Sequence, residues 1–183
     1  CPNDMNWFDL MGRRGILGVV DVVGMHGFPG TWDSEEGVWE GWQRLIADLQ
    51  EVLNRHDSAA RIWITETGYS TWRNDPLAQV RRFADAMKAP VERVYWYGLN
   101  DLPDTVAVQE GYHFDERHYH LGLFDTGGRP KLLGRLLAEG GARAIANVLD
   151  LARPAPSITG IKPILITGGA GFIGSNLADR LCR

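Results

Sequence analysis

The feature that most restricts the fold is a strict alternation of two hydrophobic periods over the first hundred residues. Asp4 to Arg14 sets Met5, Phe8 and Met11 at helical spacing before Gly15 ends the pattern. Ile16 to His26 is a nearly continuous, Val-rich apolar run, as expected of a strand covered on both faces. Asp33 or Ser34 can then cap a helix ending near Arg55, with Val38, Trp42, Leu45, Ile46, Leu49, Val52 and Leu53 on one stripe. Arg61 to Thr67 is a β-branched strand. Asp75 followed by Pro76 signals a helix to Lys88 with Leu77, Val80, Phe83, Ala84 and Met87 inward, and Val91 to Leu99 is a third strand. Units of this length in strict alternation imply right-handed crossovers and a parallel sheet, either open and doubly wound or closed as a barrel.

Beyond the third strand, Tyr119 to Lys131 has the pattern of a short hairpin turning at Thr126-Gly127-Gly128. Pro130 to Leu151 is helical apart from Gly140-Gly141, and Ala152 to Lys162 has the proline content of a linker. The expected organisation is one unit over residues 1–151, a linker over 152–162 and a new unit from 163 to 183. The first residue is Cys1 and the last, Arg183, falls inside a helical pattern, so a piece of a longer protein is expected.

An apolar content of 44% suffices for a buried core. With 19 basic against 23 acidic residues there is no basic stripe to neutralise a phosphate backbone, so nucleic acid is not an expected partner. No run reaches the ~20 apolar residues of a membrane span, and the first residues lack the pattern of a secretory signal. A soluble, cytoplasmic chain is expected. Cys1 and Cys182 stand at opposite ends and suggest neither a metal knuckle nor a redox pair. In YHFDERHYH, residues 112–120, a strand would put His118 and His120 on one face near Asp115. Ordinary polar contacts account for such a pair, and no metal is expected.

The chemistry of the first unit centres on Glu66, which closes the strand Arg61-Ile62-Trp63-Ile64-Thr65-Glu66 and precedes a turn at Gly68. A carboxylate at the carboxyl end of a barrel strand points into the mouth where barrel active sites lie. The segments VDVVGMHGFPGTWD, RIWITETGYST, VERVYWYGLND and YHLGLFDTGGRPK, in this order, resemble the closing strands of retaining TIM-barrel glycoside hydrolases of the cellulase and β-xylosidase superfamily. The resemblance covers about residues 1–150 and implies strands six to eight of a (β/α)8 barrel, with Glu66 as nucleophile and no catalytic metal. It further implies that His26 and Phe28 approach the nucleophile, with Phe28 standing where the family often has Tyr, and that Trp96 floors a sugar subsite with Asn100 and Asp101 beyond it. Retaining hydrolysis also requires a second carboxyl about 5 Å across the scissile bond. In this superfamily that group is a Glu following Asn, and the chain contains no Asn-Glu pair. The partner is expected upstream of Cys1, and the chain by itself is expected not to hydrolyse glycosides.

The second unit opens with a short apolar strand followed by Gly168, Gly169, Gly171, Phe172, Ile173 and Gly174, and then a helical pattern. Glycines between strand and helix let the backbone approach a pyrophosphate at the helix N-terminus. ILITGGAGFIGSNLADRL resembles the opening of extended short-chain dehydrogenases, the NAD-dependent sugar-nucleotide epimerases and dehydratases. That resemblance implies the first β-α unit of a Rossmann fold, with NAD bound only in a complete parent. The family's Tyr-x-x-x-Lys is not matched, because the residue four beyond each Tyr is Arg73, Leu99, Asp101, Glu116 or Leu123. The expectation is therefore a carbohydrate-active fragment. The alternatives are a parent acting as the NAD-dependent enzyme with the barrel portion as an interaction module, and self-association through open sheet edges.

Overall fold

A computed structural model of the chain describes residues 4–30, 39–73, 75–108 and 115–153. Helix α1, Met5–Arg13, is capped by Asp4, whose carboxylate accepts from the Asn6 amide at 2.9 Å. Strand β1, Val22–Gly27, follows. It is shorter than the apolar run suggested, because Gly15, at φ 75°, turns the chain into a single 3-10 turn at Ile16–Gly18. Helix α2 is Trp42–Arg55, entered through Gly41; the expected caps Asp33 and Ser34 lie outside the described residues. Strand β2 is Arg61–Thr67, and helix α3 is Pro76–Met87, where Asp75 accepts from the Ala78 amide at 2.9 Å. Strand β3 is Arg93–Trp96 and helix α4 is Leu132–Leu151, kinked at Gly141, whose φ of 55° no helix can carry.

The three strands form an open parallel sheet in the order β1-β2-β3, so their carboxyl ends point the same way and the outer edges of β1 and β3 carry no strand among the described residues. One face is apolar. Val23 and Met25 from β1 and Ile62 and Ile64 from β2 pack on Ile46, Leu49, Val52 and Leu53 of α2 and on Phe8 of α1. Met25, Leu49, Leu53 and Ile64 are completely buried, each contributing about 1.5–3 kcal/mol by removal from water. A second cluster joins Val80 of α3 to Leu133, Leu136 and Ile145 of α4, with Phe83 and Trp96 against it. Asp9 ties α1 to α2 by accepting from Arg13, from Arg55 at 2.9 Å and from His56 at 2.9 Å, and the His56, Arg55 and Arg13 hydrogen bonds hold its carboxyl well below the usual range.

Three sequence expectations change. Met87 is exposed: Val80 faces inward as expected, and Ala78, Gln79 and Ala86 are buried with it. The segment Tyr119 to Lys131 does turn at Thr126-Gly127-Gly128, where the Lys131 amide donates to the Leu123 carbonyl at 2.8 Å and the Asp125 amide to the Arg129 carbonyl at 2.9 Å, but pairing is limited to single bridges of Phe124 with Pro130 and with Asn100, and Glu116–His120 is a 3-10 turn. His118 and His120 consequently share no strand face. The chain divides into two units at Leu151/Ala152, and the linker beyond Arg153 and the glycine motif from Gly168 to Gly174 lie outside the described residues. Among the described residues no helix is long and apolar enough to cross a membrane.

Candidate active site

The site is made by an irregularity in β2. Met25 pairs with Ile64, but the next pair is His26 with Glu66, so Thr65 is an extra residue with no opposite number on β1. The β2-β3 ladder shows the same surplus, three steps from Ile64 to Thr67 against two from Val94 to Trp96. Strict alternation would place Glu66 on the face of Ile62 and Ile64, against the helices. The bulge re-aims it. The Thr65 hydroxyl donates to the Met25 carbonyl at 3.3 Å and so holds the bulge.

Once turned, the Glu66 carboxylate lies 3.5 Å from His26 Nδ1, both side chains being close to half exposed at 45% and 41%. Glu66 lines a cavity of about 310 Å³ together with Phe28, Tyr97, Leu102, Val108, His118 and Leu121. The Phe28 and Tyr97 rings meet edge-to-face at 5.8 Å, and the Tyr97 amide donates to the Thr67 carbonyl at 2.7 Å. Gly68 is required at the turn, since a Cβ there would stand 2.3 Å from the Tyr97 carbonyl oxygen.

The far wall is a separate segment, residues 115–124, pinned to the loop that follows Glu66. Gln79, fully buried in α3, donates through Nε2 to the carbonyls of Tyr69 at 3.0 Å and of Leu121 and Gly122 at 3.3 Å. Lys131 donates to Thr71 Oγ1 at 2.8 Å, to Asp101 Oδ1 at 2.7 Å and to the His120 carbonyl at 3.0 Å, while Asp101 Oδ1 also accepts from the Gly122 amide at 2.8 Å. Arg117 pairs with Asp115 at 2.7 Å and reaches across to the Gly30 carbonyl at 3.1 Å. His118 is thereby buried in the wall, and its burial pushes the imidazole below its ordinary pKa, favouring the neutral ring.

Of the residues expected to form the site, Glu66, His26 and Phe28 are brought together. Trp96 is not. It stays in phase with Val94, stacks edge-to-face on Phe83 at 5.3 Å and sits between sheet and helices, so its neighbour Tyr97 occupies the position by Glu66. Asn100 is exposed and outside the cavity lining, and Asp101 is buried in its ion pair with Lys131 rather than presented to a ligand. Tyr97, His118 and Leu121 were not anticipated. Trp96 keeps the facing of Val94 by plain alternation along β3, which leaves Tyr97 on the Glu66 side, and His118 enters through tertiary contacts. Among the described residues no three His, Cys, Asp or Glu side chains gather as metal ligands.

Neither a family model nor a curated protein sequence matches the chain. Among solved structures it is similar to a family 39 glycoside hydrolase from the gut symbiont Bacteroides cellulosilyticus WH2, at 16% identity and a TM-score of 0.43, over 67% of this chain and 27% of that one. It is also similar to a β-glucuronidase from Faecalibacterium prausnitzii, at 18% identity and a TM-score of 0.42, over 72% of this chain and 22% of that one. The chain spans about a quarter of the length of either protein.

Proposed function

We propose that residues 1–151 are the closing portion, strands six to eight, of a glycoside hydrolase-like (β/α)8 barrel, with Glu66 as the nucleophilic carboxylate of a carbohydrate site. The observation that carries this reading is the bulge at Thr65, which takes a strand-end Glu off the packing face and sets it beside His26 in a cavity lined by Tyr97 and His118. A carboxylate so placed can attack an anomeric carbon, and the aromatic rings of Phe28 and Tyr97 can cover the C–H faces of a pyranose. Glu66 is the one carboxylate in the cavity lining among the described residues. A retaining mechanism needs a second, positioned as acid and then base, so this chain binds a sugar without cleaving it until strands one to five supply that group. Aryl β-glycosides incubated with the chain are expected to release no phenol above background. Release that disappears in Glu66→Gln would overturn the assignment of the chain as an incomplete hydrolase.

A second reading rests on the glycine motif from Gly168 to Gly174: the parent protein is an NAD-dependent epimerase or dehydratase carrying the barrel portion as a binding module. Calorimetric titration with NAD separates the two, because the hydrolase reading needs no nicotinamide nucleotide.

A further inference from the structure

We infer that the cavity beside Glu66 admits uncharged glycosides and turns away anionic ones, those bearing a uronate carboxylate or a phosphoryl group. The inference rests on the carbohydrate reading above and concerns which sugars that site takes. It follows from how charge is distributed over the fold. Among the described residues, the three segments at the carboxyl ends of the strands, within 28–41, 66–75 and 97–131, hold eight Asp and Glu against four Arg and Lys, whereas the chain as a whole is close to balance at -4. The described part of the segment joining β1 to α2 adds Glu40 and no basic residue.

The few cations are already committed. Arg117 is held by Asp115 at 2.7 Å, Arg129 by Asp125 at 2.7 Å, and Lys131 is buried against Asp101 with its three protons donated within the protein. Arg73 stacks over the Trp72 ring at 4.3 Å and takes no part in the cavity lining. Of the two histidines, His26 already faces the Glu66 carboxylate, and His118 is buried in the wall, which favours its neutral ring. A neutral imidazole and the Tyr97 phenol suit sugar hydroxyls, offering both donor and acceptor. An incoming carboxylate or phosphate would meet Glu66 in a negative field with no uncommitted Arg or Lys among the described residues of the cavity lining.

The test measures the field directly and the sugars separately. Val108 lines the cavity; Val108→Cys is placed in a background with Cys1→Ser and Cys182→Ser, with Leu102→Cys as a second probe should the first fail to fold. Each is labelled with trimethylammonium-ethyl and sulfonate-ethyl methanethiosulfonates, rates being normalised to a small free thiol. The cationic reagent is expected to react about tenfold faster at low salt, as potentials of a few kT imply. The ratio should collapse toward one in 1 M salt, where the screening length is about 3 Å. A normalised ratio of one or less at low salt overturns the inference. In parallel, saturation-transfer NMR compares methyl β-xyloside with methyl β-glucuronide. Binding of the xyloside alone supports it, and equal binding of both overturns it. If neither binds while the thiol ratio stays high, charge exclusion stands and the carbohydrate reading falls.

Discussion

Replacing Lys131 with Met isolates what holds the wall of the cavity. The ammonium is the hub of a half-buried cluster: it bonds Thr71 from the loop after Glu66, Asp101 from the segment after β3, and the His120 carbonyl beside His118. Its Asp101 partner is buried, with a side chain only 7% exposed. Removing one member of a buried pair typically costs about 3–5 kcal/mol, because the remaining charge loses its partner in a poorly solvated place. Asp101 keeps the Gly122 amide at 2.8 Å and has His120 Nδ1 at 3.8 Å, which argues for the low end, about 3 kcal/mol. For a chain of this size that corresponds to a fall in Tm of roughly 6–12 °C. Circular dichroism at 222 nm during thermal unfolding measures it. Asp101→Asn keeps an acceptor for Gly122, and combining it with Lys131→Met leaves no buried charge, so the double variant should recover at least about 1.5 kcal/mol relative to the sum of the singles. A Tm loss in Lys131→Met of under about 2 °C, or strict additivity of the two changes, would refute the view that this pair pins the wall.

Three further expectations follow from the same geometry. Gly68→Ala forces a methyl against the Tyr97 carbonyl and should cost about 1–3 kcal/mol in urea unfolding while lowering affinity for any ligand of the cavity, whereas a neutral substitution would show that the turn can open. Thr65→Val keeps the branched shape but deletes the hydroxyl that holds the Met25 carbonyl; about 1 kcal/mol of stability should go, with changes in the NMR shifts of His26 concentrated at the bulge. Burial depresses the His118 pKa below 6.5, opposed by Asp115 and reinforced by Arg117, so protonation favours the unfolded chain. Stability should be full above about pH 6.5 and fall on acidification below it, and His118→Gln should remove that part of the slope.

The helices and strands were readable where period, cap and breaker agreed. Asp75-Pro76 marks the start of α3 and the β-branched run marks β2, and both stand where expected because local preference and burial point the same way. The start of β1 departs from the apolar pattern, since Ile16 and Leu17 are as apolar as strand residues and only the left-handed Gly15 turns them into a 3-10 turn. Glu66 and His26 were legible as strand-end polar groups inside apolar runs. Trp96 shares the facing of Val94 by alternation along β3, so residue type alone points to the wrong aromatic and Tyr97 takes the place beside Glu66. Asp101 likewise announced itself as a site residue by type and position, and only Lys131, thirty residues away in sequence, gives it another partner. His118 became visible through Gln79 and Lys131, long-range clamps without a sequence pattern.

The surplus residue Thr65 also separates two jobs within one short strand. Upstream of it, Ile62 and Ile64 answer to the helices; downstream, Glu66 answers to whatever enters the cavity. Selection could therefore rewrite the last residues of all three strands, exchanging the groups at His26, Glu66 and Tyr97, without repacking the apolar layer beneath. Deleting that one residue would fuse the two halves and force the carboxylate into the hydrophobic core.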